Sequence, residues 1–300
     1  MDTDKAPPAD GWWPNGVHGI SSRMVHVEPG VRIRLIEAGP PDGAPAVLLH
    51  GWACSAYSYR FLIPELAGAG FRVYVPDLMG HGFSDKPRAA ASYSSEILEN
   101  HAAAIIRMAA GDRKPFVAGH SMGGGLVLKL ALKNPEWFRA MALIAPVGLG
   151  RVPVSALAKW MSPSAVDSVL PKLVKRPMLS LVMSLVRGSG PGYEEHELDE
   201  YWAPTADPNF LPALRSILHS LNWSPVAPEQ LAQCGTPTLV IQGEQDRLVR
   251  TMPPEWQGWR VLEKAGAELV KVPGAGHVVH EERPQLVRDR VLAFARRTMQ

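Results

Sequence analysis

Cysteine is scarce in this chain: Cys54 and Cys234 are the only two among 300 residues. That excludes a disulfide-stapled scaffold and implies reduced thiols. Metal and nucleotide spacings are also lacking. There is no C-x-x-C, no H-E-x-x-H and no G-x-x-x-x-G-K-[ST], so neither a metal nor a nucleotide cofactor is implied. Gly123 to Gly125, Gly148 and Gly150 do not form a dinucleotide fingerprint. Charge of one sign is missing as well: the net charge is +2, the isoelectric point is near 8.5, and no basic run occurs. Nucleic acid is therefore not an expected partner. No stretch approaches the ~20 continuous apolar residues of a membrane span. The beginning, Met1 to Pro8, is polar and Pro-containing, and is expected to be neither signal peptide nor span. A cytoplasmic monomer or homodimer is the expectation.

What is present is apolar bulk and alternation. Hydrophobic side chains make up 46% of the chain, enough for one sizeable core carrying an insertion. Met24 to Val27 and Val31 to Ala38 read as an antiparallel pair around Pro29-Gly30. Ala46 to Leu49, Arg72 to Val75, Pro115 to Ala118, Met141 to Ala145, Thr238 to Ile241 and Glu268 to Val272 read as buried strands separated by helices. That pattern predicts an α/β fold, a mostly parallel central sheet with helices on both faces. In such a sheet, reactive groups gather at the carboxyl ends of the strands.

One hydroxyl stands out. In Gly119-His120-Ser121-Met122-Gly123, Ser121 lies between an apolar strand and a small-residue helix expected to start near Gly124. So sharp a turn strains the serine's backbone and leaves no room for side chains two positions either way, hence Gly119 and Gly123. A serine hydroxyl needs a base, and the base needs an orienting acid. His277 follows an apolar run that breaks at Pro273-Gly274, and Gly276 lets a loop carry the imidazole to the strand end. Glu244 and Asp246 both follow the strand at Thr238; Asp246 is preferred because it lies deeper in the loop.

The order Ser121, Asp246, His277 resembles that of the α/β-hydrolase fold superfamily. The resemblance runs from about Val25 to Phe294. It also includes His50-Gly51-Trp52, similar to the oxyanion loop after the third strand, and Asp77-Leu78-Met79-Gly80-His81-Gly82-Phe83-Ser84, similar to a D-x-x-G-x-G-x-S turn. The G-H-x-x-x-x-E-x-P run ending at Pro284 is a fifth landmark. The resemblance implies an oxyanion hole built from the N–H groups of Met122 and Trp52, the first at the positive end of a helix. His50, His81, Asp77 and Asp85 are expected to order loops. His120 is expected to pack beside the nucleophile, and His280 is a second choice as base. Cys54 is not expected to act as a nucleophile.

Between Gly148 and Gln233 the alternation fails and prolines accumulate. The implied organisation is a core from residues 1–147 and 234–300, with a helical lid or cap at 148–233. Leu157 to Met161 and Met178 to Val186 are apolar enough to suggest an apolar acyl or aryl pocket. Gly188-Ser189-Gly190-Pro191-Gly192 reads as a flexible joint within the lid. The loops resemble haloalkane dehalogenases and epoxide hydrolases, but those families carry an aspartate where Ser121 stands, so acyl chemistry is favoured. The expected reaction is hydrolysis of a small or medium, largely apolar carboxylic ester, with a rate that rises with pH through a pKa near histidine's usual value, about 6.5. Alternatives are C–C bond hydrolysis or cofactor-free perhydrolysis by the same triad. The meta-cleavage C–C hydrolases, however, have asparagine where His120 stands and tryptophan where Val278 stands. A catalytically silent binding protein is the remaining alternative.

Overall fold

The computed structural model of the chain describes residues 11–152, 159, 162, 163, 166, 167, 173–190, 192–249 and 258–299. Eight strands form one sheet: β1 (Ile20–Glu28), β2 (Val31–Ala38), β3 (Ala44–Leu49), β4 (Phe71–Pro76), β5 (Phe116–His120), β6 (Ala140–Ile144), β7 (Thr238–Gly243) and β8 (Glu268–Val272). Their order is β1-β2-β4-β3-β5-β6-β7-β8. β1 runs antiparallel to β2, and β2 to β4; every later pairing is parallel.

The sheet is covered because its central strands are apolar on both faces. All of β5 and β6 is buried, as expected of parallel strands roofed by helices. Alternate residues feed opposite cores. Val47, Leu49, Val117 and Met141 pack with α2 (Ser95–Ala110) and α3 (Met122–Lys133), while Ala46, Leu48, Ala118 and Ala142 pack with α1 (Ile63–Gly68) and, further along the chain, the closing helix. Register then aligns the carboxyl ends: Leu49 faces Gly119, His120 faces Ile144, and Gly243 faces Val272. The loops bearing Ser121, Asp246 and His277 therefore leave the sheet on one edge.

Between β6 and β7 come α4 (Arg176–Val186), α5 (Glu195–Trp202), α6 (Phe210–Ser220) and the short α7 (Pro228–Leu231). α6 is amphipathic and sinks Ala213 and Ile217 into the core on the α2 side. α4 differs from expectation: its apolar run buries no side chain, and Met178, Leu181, Val182 and Leu185 are about half exposed or more, so they do not wall a closed pocket. Of the other apolar run, Leu157 to Met161, all but Lys159 lies outside the described residues, as does Pro191 of the glycine-rich segment. The chain ends with α8 (Gly258–Lys264), α9 (Val279–Glu282) and α10 (Pro284–Met299). Among the described residues no helix is long and apolar enough to cross a membrane.

Ahead of β1, Trp13 docks on the body. The Trp13 N–H donates to the Glu200 carboxylate at 2.9 Å, its carbonyl accepts from Arg34 at 3.1 Å, and its ring meets Tyr57 edge-on. A second tie joins the insertion to the core: the buried Glu281 carboxylate accepts from Arg60, Tyr193 and Tyr201, and Arg60 also pairs with Glu197. Burial raises the Glu281 carboxyl, against the pull of Arg60 and Tyr201.

Candidate active site

The turn between β5 and α3 is a single residue. Ser121 has φ 51° and ψ −115°, a left-handed conformation that costs a non-glycine residue energy and persists only when its surroundings hold it. They do hold it: the Ser121 N–H donates to Ile144, and its carbonyl accepts from Gly125 and Val147, each at 3.0 Å. Neighbouring backbone leaves no space for larger residues. A Cβ on Gly119 would lie 2.5 Å from the Gly123 carbonyl oxygen, and one on Gly123 would lie 2.1 Å from that of Leu49. α3 consequently begins at Met122, two residues earlier than the sequence suggests, so Met122 occupies its first turn, where backbone N–H groups have no intrahelical acceptor.

His277 Nε2 lies 2.8 Å from Ser121 Oγ, and its Nδ1 lies 2.9 Å from Asp246 Oδ2. A carboxylate only accepts, so the proton sits on Nδ1 and the Nε2 lone pair faces the hydroxyl. The Asp246 side chain is 2% exposed and that of His277 6%. Burial alone would raise the Asp246 carboxyl. The adjacent imidazole and the N–H groups of Val249 and Leu248 outweigh it and hold the pKa below the usual carboxylate value. Glu244, the competing acid, has no such contact with the imidazole in the hydrogen bonds of this site.

Gln242 was not singled out by sequence reasoning, yet its Nε2 donates to Asp246 Oδ2 at 2.8 Å, so the oxygen that faces the imidazole is held from two sides. Its position on β7, four residues before the acid, was the only available signal. A cavity of about 520 Å³ opens beside this acid, with Gln242, Glu244, Trp259 and Lys271 in its wall.

The other histidines divide by their contacts. His50 donates from Nδ1 to the Gly51 carbonyl at 2.8 Å, and its Nε2 accepts from Leu78 N–H at 2.9 Å, which orders two loops. His120 reaches the His277 carbonyl through Nε2 at 3.0 Å and packs against the His280 ring at 4.4 Å. Both nitrogens of His280 are buried with no hydrogen-bond partner among the described residues, and burial, with Arg60 and His277 adding, lowers its pKa to about 3. His280 is thus placed against His120 rather than Ser121. Burial, with Glu281 adding, pushes the Cys54 thiol up, away from thiolate character. Trp52 anchors its loop to α6 by donating from Nε1 to Leu214 at 2.9 Å.

Comparison with known proteins agrees with this architecture. Bifunctional epoxide hydrolase 2 of Sus scrofa is 38% identical over 123 residues, a match that covers 41% of this chain and only 22% of that one, so the similarity spans about a fifth of that relative. Epoxide hydrolase A of Mycobacterium tuberculosis is 27% identical over 307 residues, covering 88% of this chain and 94% of the relative. Among solved structures, a 2-hydroxy-6-oxo-6-phenylhexa-2,4-dienoate hydrolase from a Rhodococcus strain superposes with a TM-score of 0.73 at 24% identity, covering 92% of this chain and 99% of that one. The family model described as alpha/beta hydrolase fold matches residues 45–284, from β3 to the start of α10. With the sheet order, the one-residue turn and the matched span in agreement, the chain belongs to the alpha/beta hydrolase fold family.

Proposed function

We propose that the protein is a serine hydrolase that cleaves carboxylic esters of small to medium, largely apolar substrates through an acyl-enzyme. The observation that carries this reading is the unbroken chain of contacts from Ser121 Oγ through His277 to Asp246. Ser121 Oγ attacks the ester carbonyl carbon while His277 Nε2 takes the hydroxyl proton. Negative charge develops on the former carbonyl oxygen, and the N–H groups of Met122 and Trp52 receive it. Each such donor is worth about 2.7–4 kcal/mol of transition-state stabilisation. The alcohol leaves with the proton from His277. Water then repeats the sequence on the acyl group and returns Ser121.

Asp246 keeps the imidazole in the required tautomer and stabilises the imidazolium. A serine at the elbow supports acyl transfer over the alkylation chemistry of the aspartate-bearing epoxide hydrolases. The described part of residues 148–233 serves as a cap, with α5 and α6 seated on the core. The substrate is a small-molecule ester.

The test is initial rates on a chain-length series of p-nitrophenyl esters, with Ser121→Ala as control. The substitution is expected to lower kcat on the order of 10⁶-fold. A well-folded wild type that hydrolyses none of the esters refutes the reading.

A further inference from the structure

The base loop and the insertion cross backbone to backbone. A Cβ on Gly276 would lie 2.4 Å from Gly188 N and 2.6 Å from the Val186 carbonyl oxygen, and one on Gly188 would lie 2.3 Å from the Gly274 carbonyl oxygen. Main-chain hydrogen bonds close the crossing: His277 N–H donates to Val186 at 2.8 Å, and Ser189 N–H to Gly274 at 2.9 Å. A single buried carboxylate spans both sides. Glu282 Oε1 accepts from Gly276 N–H at 2.9 Å, and its Oε2 accepts from Gly188 N–H at 2.8 Å.

Both bonds are charge-assisted and of the stronger kind. Removing the carboxylate would leave two N–H groups at the crossing without an acceptor, and repairing either means moving backbone. Gly276 is the residue before His277, so such movement is delivered to the imidazole. Gly188 and Ser189 are therefore pinned, and glycine at 188 serves close approach rather than freedom, in contrast to the joint expected from the sequence. Of the segment's three glycines, Gly192 alone has open space around it and no strained φ.

We infer that Glu282 is a positioning residue for the base: it holds residues 274–277 against residues 186–189 of the insertion, so that the insertion's backbone sets the reach of His277 to Ser121. This rests on the serine-hydrolase reading above. The test compares wild type, Glu282→Gln, Gly188→Ala and Gly192→Ala. Three quantities are followed against pH: the rate of Ser121 labelling by a fluorophosphonate, kcat and KM on a p-nitrophenyl ester, and the downfield proton resonance of His277 Nδ1–H.

Glu282→Gln and Gly188→Ala are each expected to slow acylation about 10²-fold, the usual cost of a displacement of about 1 Å in a reacting group. They are also expected to change kcat more than KM, to move the apparent pKa of the acylation limb, and to shift the Nδ1–H resonance. Gly192→Ala is expected to follow wild type. Wild-type rates and pKa in both of the first two variants overturn the inference. If wild type itself is not labelled, the hydrolase reading fails, and the resonance then decides on its own: unchanged in Glu282→Gln, it overturns the positioning role; shifted, it supports it. Should Gly188→Ala not fold, Glu282→Asp replaces it. That variant keeps the charge but is one methylene too short to span the crossing, and a wild-type rate there likewise overturns the inference.

Discussion

Asp77 and Asp246 occupy matching places, each in the loop that leaves the carboxyl end of a parallel strand, and both are buried. Each accepts two backbone N–H groups, Ala56 and Phe83 for Asp77, Leu248 and Val249 for Asp246. For each, burial would raise the pKa and the surroundings hold it below the usual carboxylate value. What differs is the cation. Asp77 faces the Arg34 guanidinium at 2.8 Å, a charge that never leaves. Asp246 faces the His277 imidazole at 2.9 Å, a hydrogen-bond donor rather than a permanent charge. The same side chain in the same topological place faces a permanent charge in one loop and an imidazole in the other, and on the function proposed above only the second takes part in chemistry.

Substitutions at these positions should separate the two outcomes. The largest effect is expected from Asp246→Asn, which keeps the shape but leaves the imidazole in the wrong tautomer. Ester hydrolysis should fall about 10⁴-fold with little change in melting temperature, and a fall in stability without loss of rate would reverse the assignment. Asp77→Ala should do the opposite, lowering unfolding free energy by about 3–5 kcal/mol, because Arg34 is then buried without a counter-charge; denaturant titration measures it. His50, whose imidazole interacts electrostatically with Asp77, is tied at both nitrogens, so His50→Ala should cost about 1–3 kcal/mol of stability and reduce kcat far less than loss of His277.

The smallest effect is in pH dependence. His50, His81, His120 and His280 are all held below the ordinary imidazole pKa, by burial first. The unfolded chain binds protons on these groups near pH about 6.5 and the folded chain does not, so unfolding takes up protons and stability falls as pH drops below about 6.5. For His280 the loss runs down to about 3. The two aspartates keep their contribution until pH falls below about 3.9. Melting temperature should therefore decline from about pH 7 to about pH 5, less steeply in His280→Met; a flat profile in wild type contradicts the assignment.

How much of this could be read beforehand depends on how local the determinant is. The strands and the turn glycines were legible because each is a short-range pattern, and three such local patterns taken in order named the side chains of Ser121, Asp246 and His277 that meet in the structure. His50 was read correctly as a loop-ordering residue, since its partners are its neighbour Gly51 and the D-x-x-G turn that the same motif set had placed nearby. The preference for Asp246 over Glu244 came from loop depth alone. What escaped was non-local: Gln242 behind the acid, Arg34 against Asp77, Trp13 bridging Arg34 and Glu200, and Glu282 accepting from Gly188, 94 residues away. α4 misled for another reason: an apolar run states that side chains favour burial, not that the fold supplies a partner, and here they stand exposed.

The one-residue turn at Ser121 has a consequence for redesign. Its demands fall on main chain: a left-handed φ, three backbone hydrogen bonds and two glycines with no room for a side chain. Aspartate and asparagine adopt that φ more readily than most residues. The turn is thus a socket that fixes where a nucleophilic atom stands without dictating its element or charge, so Ser121→Asp should seat without remodelling the loop. Changing reaction type on this scaffold then becomes a question of one side chain and its proton acceptor rather than of a new fold.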